Sequence, residues 1–127
     1  MATAAKISRM SDSSSLKTPE IQAELISEAL KSASVGFLVW DEARRYIAAN
    51  DCACEILGTT LDELLGQPVG GQTVEGLDAL EEALSKGFAT GRATIERSGG
   101  ERIEVFFATF TTRTAGMPFM ATVIAPL

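Results

Sequence analysis

The sequence is 127 residues long, carries 11 Lys and Arg against 17 Asp and Glu for a net charge of −6, and contains no histidine. This length builds one domain with one hydrophobic core, and a content of 46% hydrophobic and 22% charged residues excludes a disordered chain. The acidic charge and the lack of a long apolar run argue against nucleic-acid and membrane partners, and the missing histidine removes the usual general base and the commonest metal ligand.

The N-terminal part is predicted to be a flexible tail followed by one helix. Residues 1–17 are small and polar and lack the apolar run of a secretory signal, so we expect a cytoplasmic protein. Thr18 and Pro19 are typical of a helix start, and the predicted helix spans residues 18–33. Its apolar stripe includes Ile21, Leu25 and Ile26. The stripe either packs on the rest of the domain or serves as a dimerisation or signal-relay surface.

A hairpin and two short helices follow in the pattern. Residues 35–40 and 45–49 are rich in β-formers and predict two antiparallel strands. Asn50 or Asp51 then caps a helix that stops at Gly58, and Thr60 begins a second helix that stops at Gly66.

The two cysteines, Cys52 and Cys54, fall in the first of these short helices. Two positions apart on a helix they point about 200° away from each other, so they do not form a disulfide with each other. Without a histidine or a second cysteine pair they make a poor zinc site. Core filling is the favoured interpretation, and a reactive thiol is the alternative.

The rest of the chain is predicted to be a loop, a longer helix and three strands. Residues 69–73 form the loop, residues 74–86 the helix, and residues 92–97, 101–112 and 117–125 the strands. Glycine turns join these strands as antiparallel neighbours. Five strands with three helices inserted between the second and the third make an α+β domain over residues 34–127.

The middle strand of the last three is apolar on both of its faces. Val105 and Phe107 point one way and Phe106 and Phe110 the other, so both faces of the sheet need cover. The inserted helices cover one face, and we expect the N-terminal helix, a second copy of the chain or both to cover the other. The interface residues predicted for a homodimer are Ile21, Leu25, Ile26, Phe106 and Phe110.

The sequence from about Lys31 to Ala125 resembles the PAS sensor domains, most specifically between the first strand and Gly66. The resemblance rests on a strand that ends at Asp41, a strand that ends at Asn50, then Leu57-Gly58, and then residues 61–66 (LDELLG). It implies a PAS-like fold with a five-stranded antiparallel sheet and a sensory or signal-transduction role. The residues that carry it (Asp41, Asn50, Gly58 and Gly66) are interpreted as architectural, because capping and left-handed turns explain them.

The resemblance also allows the cofactor subtypes of the family to be tested on the residues. The flavin-binding light-oxygen-voltage (LOV) type carries a cysteine where this sequence has Val69, and the only asparagine, Asn50, is not on the late strands. Histidine-ligated haem is excluded, and haem held by Cys or Met is not expected. No resident cofactor and no metal site are predicted.

The functional hypothesis is a sensory module with an interior cavity for an apolar or aromatic ligand, whose partners are its own second copy and an output or regulator protein. The alternatives are a filled interior in a ligand-free docking domain and, more remotely, a small α+β cavity enzyme. We do not predict catalysis, and the sequence is either part of a larger regulator or acts through a partner. The residues predicted to line the cavity are Phe37, Val39, Ile56, Leu64, Leu65, Leu84, Phe88, Phe107, Met117, Phe119 and Ile124.

Overall fold

The computed structural model describes residues 16–75, 77–114 and 116–127. Most of the predicted tail, residues 1–15, lies outside this range. The chain divides into two compact units, with the boundary between Ser32 and Ala33. In the described residues no helix is long and apolar enough to cross a bilayer.

The first unit contains helix α1, Pro19–Lys31. Its N-cap is Thr18, and proline occupies the first turn as expected, although the Thr18 side chain makes no capping bond. The predicted stripe is unevenly exposed, because Ile21 is buried, Leu25 is half-buried and Ile26 is exposed.

The second unit is an α+β fold with one antiparallel sheet, which confirms the predicted class. Its elements in chain order are β1 Gly36–Trp40, β2 Tyr46–Ala49, α2 Asp51–Leu57, α3 Leu61–Leu64, β3 Thr73–Glu75, α4 Leu77–Lys86, β4 Phe88–Glu96, β5 Arg102–Thr114 and β6 Met117–Pro126. The sheet order is β2-β1-β6-β5-β4-β3, so the N-terminal hairpin lies beside the last strand.

The sheet has six strands, one more than the five predicted from the sequence. The additional strand is β3, which pairs through Thr73 with Ile95 of β4 and through Glu75 with Thr94. The sequence pattern assigned these residues to a loop and to the start of a helix. A three-residue edge strand has too few positions to show alternation, and its pairing partner lies some twenty residues away, so local pattern could not reveal it.

Strand β4 also begins earlier than predicted, at Phe88. Gly87, which follows α4, has a φ of 79°, a left-handed conformation that turns the chain from the helix directly into the strand. The consequence is a long β4 that pairs with β5 from Phe88–Phe110 to Glu96–Arg102.

Strand register separates the two faces of the sheet. We define the inner face by Leu38, Val105, Phe107 and Ile124, which join α2 and α3 residues in the hydrophobic core. The outer face carries the alternate positions, among them Phe106, opposite Ala125 of β6. This division decides which predicted site residues can meet each other.

Helix α2 is anchored closely against β1. The Asn50 side chain accepts hydrogen bonds from the backbone N–H of Ala53 (3.0 Å) and of Phe37 (2.9 Å) and donates to the carbonyl of Val35 (3.0 Å). A Cβ on Gly36 would lie 2.6 Å from the Ile124 side chain and 3.0 Å from the Ala53 backbone. One amide side chain and one glycine therefore fix the height of α2 above the sheet.

Candidate ligand-binding site

The second unit has a partly open cavity of about 700 Å³ between the inner face of the sheet, α3 and the segment over residues 67–73. A volume of this size falls in the range of cavities that hold small molecules. The lining residues are Leu38, Tyr46, Leu57, Thr59, Asp62, Glu63, Leu64, Leu65, Gln67, Pro68, Val69, Gly70, Gly71, Gln72, Thr73, Ala93, Ile95, Ser98, Val105, Phe107, Thr109, Thr122 and Ile124.

A chain of three polar side chains crosses the sheet at the floor of the cavity. The indole Nε1 of Trp40 donates to Oγ1 of Thr122 at 3.0 Å, and the hydroxyls of Thr122 and Thr109 lie 2.9 Å apart. Trp40 and Thr109 are buried, whereas Thr122 is half-buried, and both threonines line the cavity. The floor is therefore polar in an otherwise apolar part of the wall.

Tyr46 of β2 contributes a phenol to the wall. Burial raises the pKa of this phenol, and a hydrogen bond with the backbone of Gly70 partly offsets the increase. The phenol is thus neutral at physiological pH.

The segment over the cavity is held in place by a glutamine. The Nε2 of Gln72 donates to the carbonyl of Leu57 at the end of α2 (2.9 Å) and to that of Glu96 at the end of β4 (3.1 Å). These bonds tie the segment between helix and sheet, so the roof of the cavity is connected to both layers.

The charged residues that line the cavity, within the described part of the chain, are all acidic. Asp62 and Glu63 are exposed residues of α3, and no lysine or arginine is among the lining residues described. The negative carboxylates disfavour an anionic ligand.

Four of the residues predicted from the sequence to line a cavity do line it. They lie on α3, directly after α3, on β5 and on β6. They are Leu64, Leu65, Phe107 and Ile124. Ile56 is buried in the adjoining core but is not a lining residue, and the side chain of Leu84 lies outside the described part of the chain.

The remaining predicted lining residues belong to the outer face, which is a correction to the sequence prediction. Strand pairing places Phe37 opposite Val123 and Val39 opposite Ala121, out of phase with Leu38. The other residues on the outer face are Phe88, Met117 and Phe119. The strands β1 and β6 are apolar at successive positions, so alternation in the sequence cannot tell which residues point inward.

The polar lining residues Thr109, Thr122, Tyr46 and Gln72 were missed by the sequence prediction, which sought apolar side chains alone. One signal was present for Thr109. It follows Val105 and Phe107 with a period of two, so it had to share their face.

The architectural residues occupy turns and caps. The Oδ1 of Asp41 accepts from the backbone N–H groups of Ala43 (3.0 Å) and Arg45 (3.1 Å) in the β1–β2 turn. Gly58 has a φ of 68° at the end of α2, and Gly66 has a φ of 86° after α3. These geometries need a short polar side chain or a glycine, and none of them contributes a reactive group.

The predicted interface residues of the second unit lie on the outer face. Phe106 is 44% exposed and Phe110 is half-buried, and Phe110 pairs across the strands with Phe88. Phe88 is 57% exposed, so the outer face presents a row of partly exposed aromatic rings.

Cys52 and Cys54 are free and half-buried on α2. Burial raises the pKa of both thiols, and the carboxylates of Glu55 and Asp51 raise the pKa of Cys52 and of Cys54, respectively. A raised thiol pKa lowers the thiolate fraction at neutral pH and with it the nucleophilicity. In the described residues no group of three His, Cys, Asp or Glu side chains could hold a metal ion.

Comparison with known proteins identifies the family. A model of the PAS fold matches residues 24–105, more than half of the chain, and the chain therefore belongs to the PAS-fold family. This is a family of sensory and signalling domains. No curated protein matches the chain in sequence.

Solved structures share this fold at low sequence identity. A PAS domain from Colwellia psychrerythraea has a TM-score of 0.75 and 16% identity, with 84% of this chain and 97% of that chain covered. The PAS domain of nitrogen regulation protein NR(II) from Vibrio parahaemolyticus has a TM-score of 0.70 and 15% identity, with 81% and 98% covered. An RNA-binding Light-Oxygen-Voltage receptor has a TM-score of 0.76 and 19% identity, with 87% of this chain and 35% of that chain covered. At these identities the likeness establishes the fold alone.

Proposed function

We propose that the chain is a PAS-type sensory module that binds a small, largely apolar ligand in the cavity of about 700 Å³ and signals as a homodimer. The observation that carries the proposal is the cavity itself. Clefts and cavities of about 300–1,000 Å³ are the usual size of small-molecule sites in proteins, and this cavity falls within that range.

The side chains that line the cavity favour a ligand that is neither a flavin nor a haem. Val69, at the position where the LOV resemblance places a cysteine, lines the cavity with an alkyl side chain that forms no flavin adduct. The chain has no histidine to ligate haem iron. Leu38, Ile95 and Phe107 instead offer apolar contact area to an aliphatic or aromatic body.

The link from cavity to output runs through the sheet. Thr109 and Phe107 line the cavity from β5, and the neighbouring residues Phe106 and Ala108 of that strand belong to the outer face. A ligand that shifts β5 or β6 changes the shape of the outer face, on which we place the homodimer contact or an output or regulator protein. Because coupling requires a difference in ligand affinity between two states, the ligand must favour one arrangement of these strands.

A ligand-free docking domain is the second candidate function, and the exposed aromatic rings of the outer face favour it. Phe88 and Phe106 are 57% and 44% exposed, and large exposed apolar side chains gathered on one face are typical of protein interaction surfaces. Under this alternative the cavity holds only solvent.

Native mass spectrometry of freshly purified protein, together with its ultraviolet-visible spectrum, separates the two functions. The ligand-binding function predicts a non-covalent mass that survives gentle desolvation and is lost on denaturation. A colourless protein with only the mass of the polypeptide, unchanged after incubation with a small-molecule extract, contradicts it. The same spectra report the ratio of monomer to dimer.

A further inference from the structure

We propose that Thr122 presents its hydroxyl proton to the cavity, and that the ligand is an uncharged molecule with a hydrogen-bond acceptor on an otherwise apolar body. The inference rests on the proposed ligand-binding function and adds the chemical class of the ligand. Three observations carry it: the direction of the hydrogen bonds at the floor, the charge of the lining residues and the apolar surface between them.

The direction of the hydrogen bonds follows from counting protons. Thr109 and Thr122 bring two hydroxyl protons, and the single contact of 2.9 Å between their oxygens uses one of them. The indole of Trp40 is a donor only, so it consumes an acceptor site on Thr122 and takes up no hydroxyl proton. One hydroxyl proton of the pair is therefore left for another acceptor.

Burial decides which threonine holds the remaining proton. Thr109 is 1% exposed, and an unpaired donor there would bear the full cost of desolvation. Thr122 is half-buried and lines the cavity. The lower-energy arrangement has Thr109 donating to Thr122, which also accepts from Trp40 and directs its own proton into the cavity.

Charge then restricts the acceptor that meets this proton. The charged groups among the described lining residues are the carboxylates of Asp62 and Glu63, and no described lining residue is cationic. An anion placed near Thr122 would be buried without a counter-charge, which is costly. A carbonyl, ether or aromatic nitrogen acceptor meets the same hydroxyl without that cost.

The apolar part of the ligand is defined by the side chains around the pair. Leu38, Phe107 and Ile124 line the cavity on strands β1, β5 and β6, and strand pairing sets Leu38 directly opposite Thr122. A ligand that reaches the hydroxyl therefore lies against alkyl and aromatic groups on its other sides.

Three naphthalenes of similar size test this class of ligand by equilibrium dialysis: 2-acetylnaphthalene with a neutral acceptor, 2-ethylnaphthalene with none, and 2-naphthoate with an anionic one. We expect the ketone to bind roughly three- to tenfold more tightly than the hydrocarbon, which is the range for one neutral hydrogen bond. We expect the carboxylate to bind most weakly. Equal affinities for ketone and hydrocarbon overturn the inference and leave ligand binding intact, whereas failure of all three to bind contradicts the proposed function as well.

Variants of the floor assign the donor. The triple variant Trp40→Phe, Thr109→Val, Thr122→Val removes all three donors of this hydrogen-bonded series and leaves no unpaired indole. The preference for the ketone should then disappear. Thr109→Val alone should keep the preference because Thr122 retains its hydroxyl, and Thr122→Ser should keep it for the same reason. Binding of 2-ethylnaphthalene shows in each variant that the cavity is still formed.

Tyr46→Phe tests the alternative donor, because it removes the phenol hydroxyl from the cavity wall and leaves Thr109 and Thr122 unchanged. It should leave the ratio of ketone to hydrocarbon affinity unchanged. A preference that survives in the triple variant, or that is lost in Tyr46→Phe, overturns the assignment to Thr122.

Discussion

Tyr46 is the only tyrosine of the chain, and it lines the cavity from β2. Its phenol is a sensitive probe of that wall because its pKa depends on whether the surrounding structure excludes water. Burial raises the pKa of the folded phenol above the ordinary value of about 10, so the folded state keeps its proton at a pH where the unfolded chain has lost it.

We therefore expect the tyrosinate absorbance of the folded protein to appear at higher pH than that of the chain unfolded in urea. Because the folded pKa is the higher one, the contribution of the neutral phenol to stability is complete below pH 10 and is lost as the pH rises from there through the folded pKa. A spectrophotometric titration in both states measures the difference. Coincident titration curves would show that water reaches the phenol freely.

The Tyr46→Phe variant controls for the other groups that titrate in alkali. Its free energy of unfolding should decline less steeply above pH 10 than that of the wild type, because only the phenol has been removed. An identical decline in the two proteins would assign the loss of stability to lysines and cysteines.

The ends of the short helices are the features that the sequence predicted best, because they depend on local interactions. The Asn50 cap of α2, the left-handed Gly58 that ends it and the Thr60 cap of α3 all appear as hydrogen bonds or φ angles of single residues. Each depends on neighbours within a few positions, so the sequence contains all the information that it needs.

The sequence could not show which residues of β1 point inward, because that depends on contacts with residues far away in the sequence. Phe37 and Val39 are as apolar as Leu38 and Trp40, and only the packing of α2 decides which pair points inward. The same ambiguity placed Phe119 in the predicted cavity. The polar floor was missed because a threonine in a strand is as common on a surface as inside, and the partner of each threonine lies on another strand.

Helix α2 approaches β1 so closely at Gly36 that we expect this position to tolerate no larger side chain. In Gly36→Ala the new methyl group would meet the Ile124 side chain at 2.6 Å and the Ala53 backbone at 3.0 Å, distances that force the helix or the sheet to move. We expect a loss of about 1–3 kcal/mol in the free energy of unfolding, the usual range for overpacking. Chemical denaturation with urea measures it.

Gly99→Ala provides the matched control for the loss of a glycine. Nothing lies within 4 Å of a Cβ at Gly99, and its φ is outside the left-handed region. Its stability should change by no more than about 0.5 kcal/mol. Equal effects of the two substitutions would mean that Gly36 matters through backbone entropy and not through the contact with α2.

At the scale of the molecule, the two faces of the sheet have different functions in our proposal. The inner face forms the floor of a cavity, and the outer face presents Phe88, Phe106 and Met117 with exposed fractions of 57%, 44% and 58%. Arg92 of β4 lies opposite Phe106 of β5 on this face, and Glu104 lies on the same face of β5, two residues before Phe106. A surface that carries apolar rings and both signs of charge can be complementary to a second copy of itself.

If the outer face is the homodimer contact, Phe106→Glu will weaken the dimer, since it buries a carboxylate against apolar rings at the centre of the interface. We expect the dissociation constant to rise at least about tenfold, equivalent to about 1.4 kcal/mol, as measured by sedimentation equilibrium or by light scattering across a concentration series. Leu61→Glu is the matched control, because Leu61 is also 44% exposed but lies on α3 and adds the same charge away from the outer face. A wild-type monomer at high concentration, or equal weakening by both substitutions, would remove the outer face as the dimer contact and favour docking to a different protein.

Because the cavity and the outer face share β5, the same Phe106→Glu protein should still bind the ligand of the cavity, and its affinity relative to the wild type then measures how strongly the two faces are coupled.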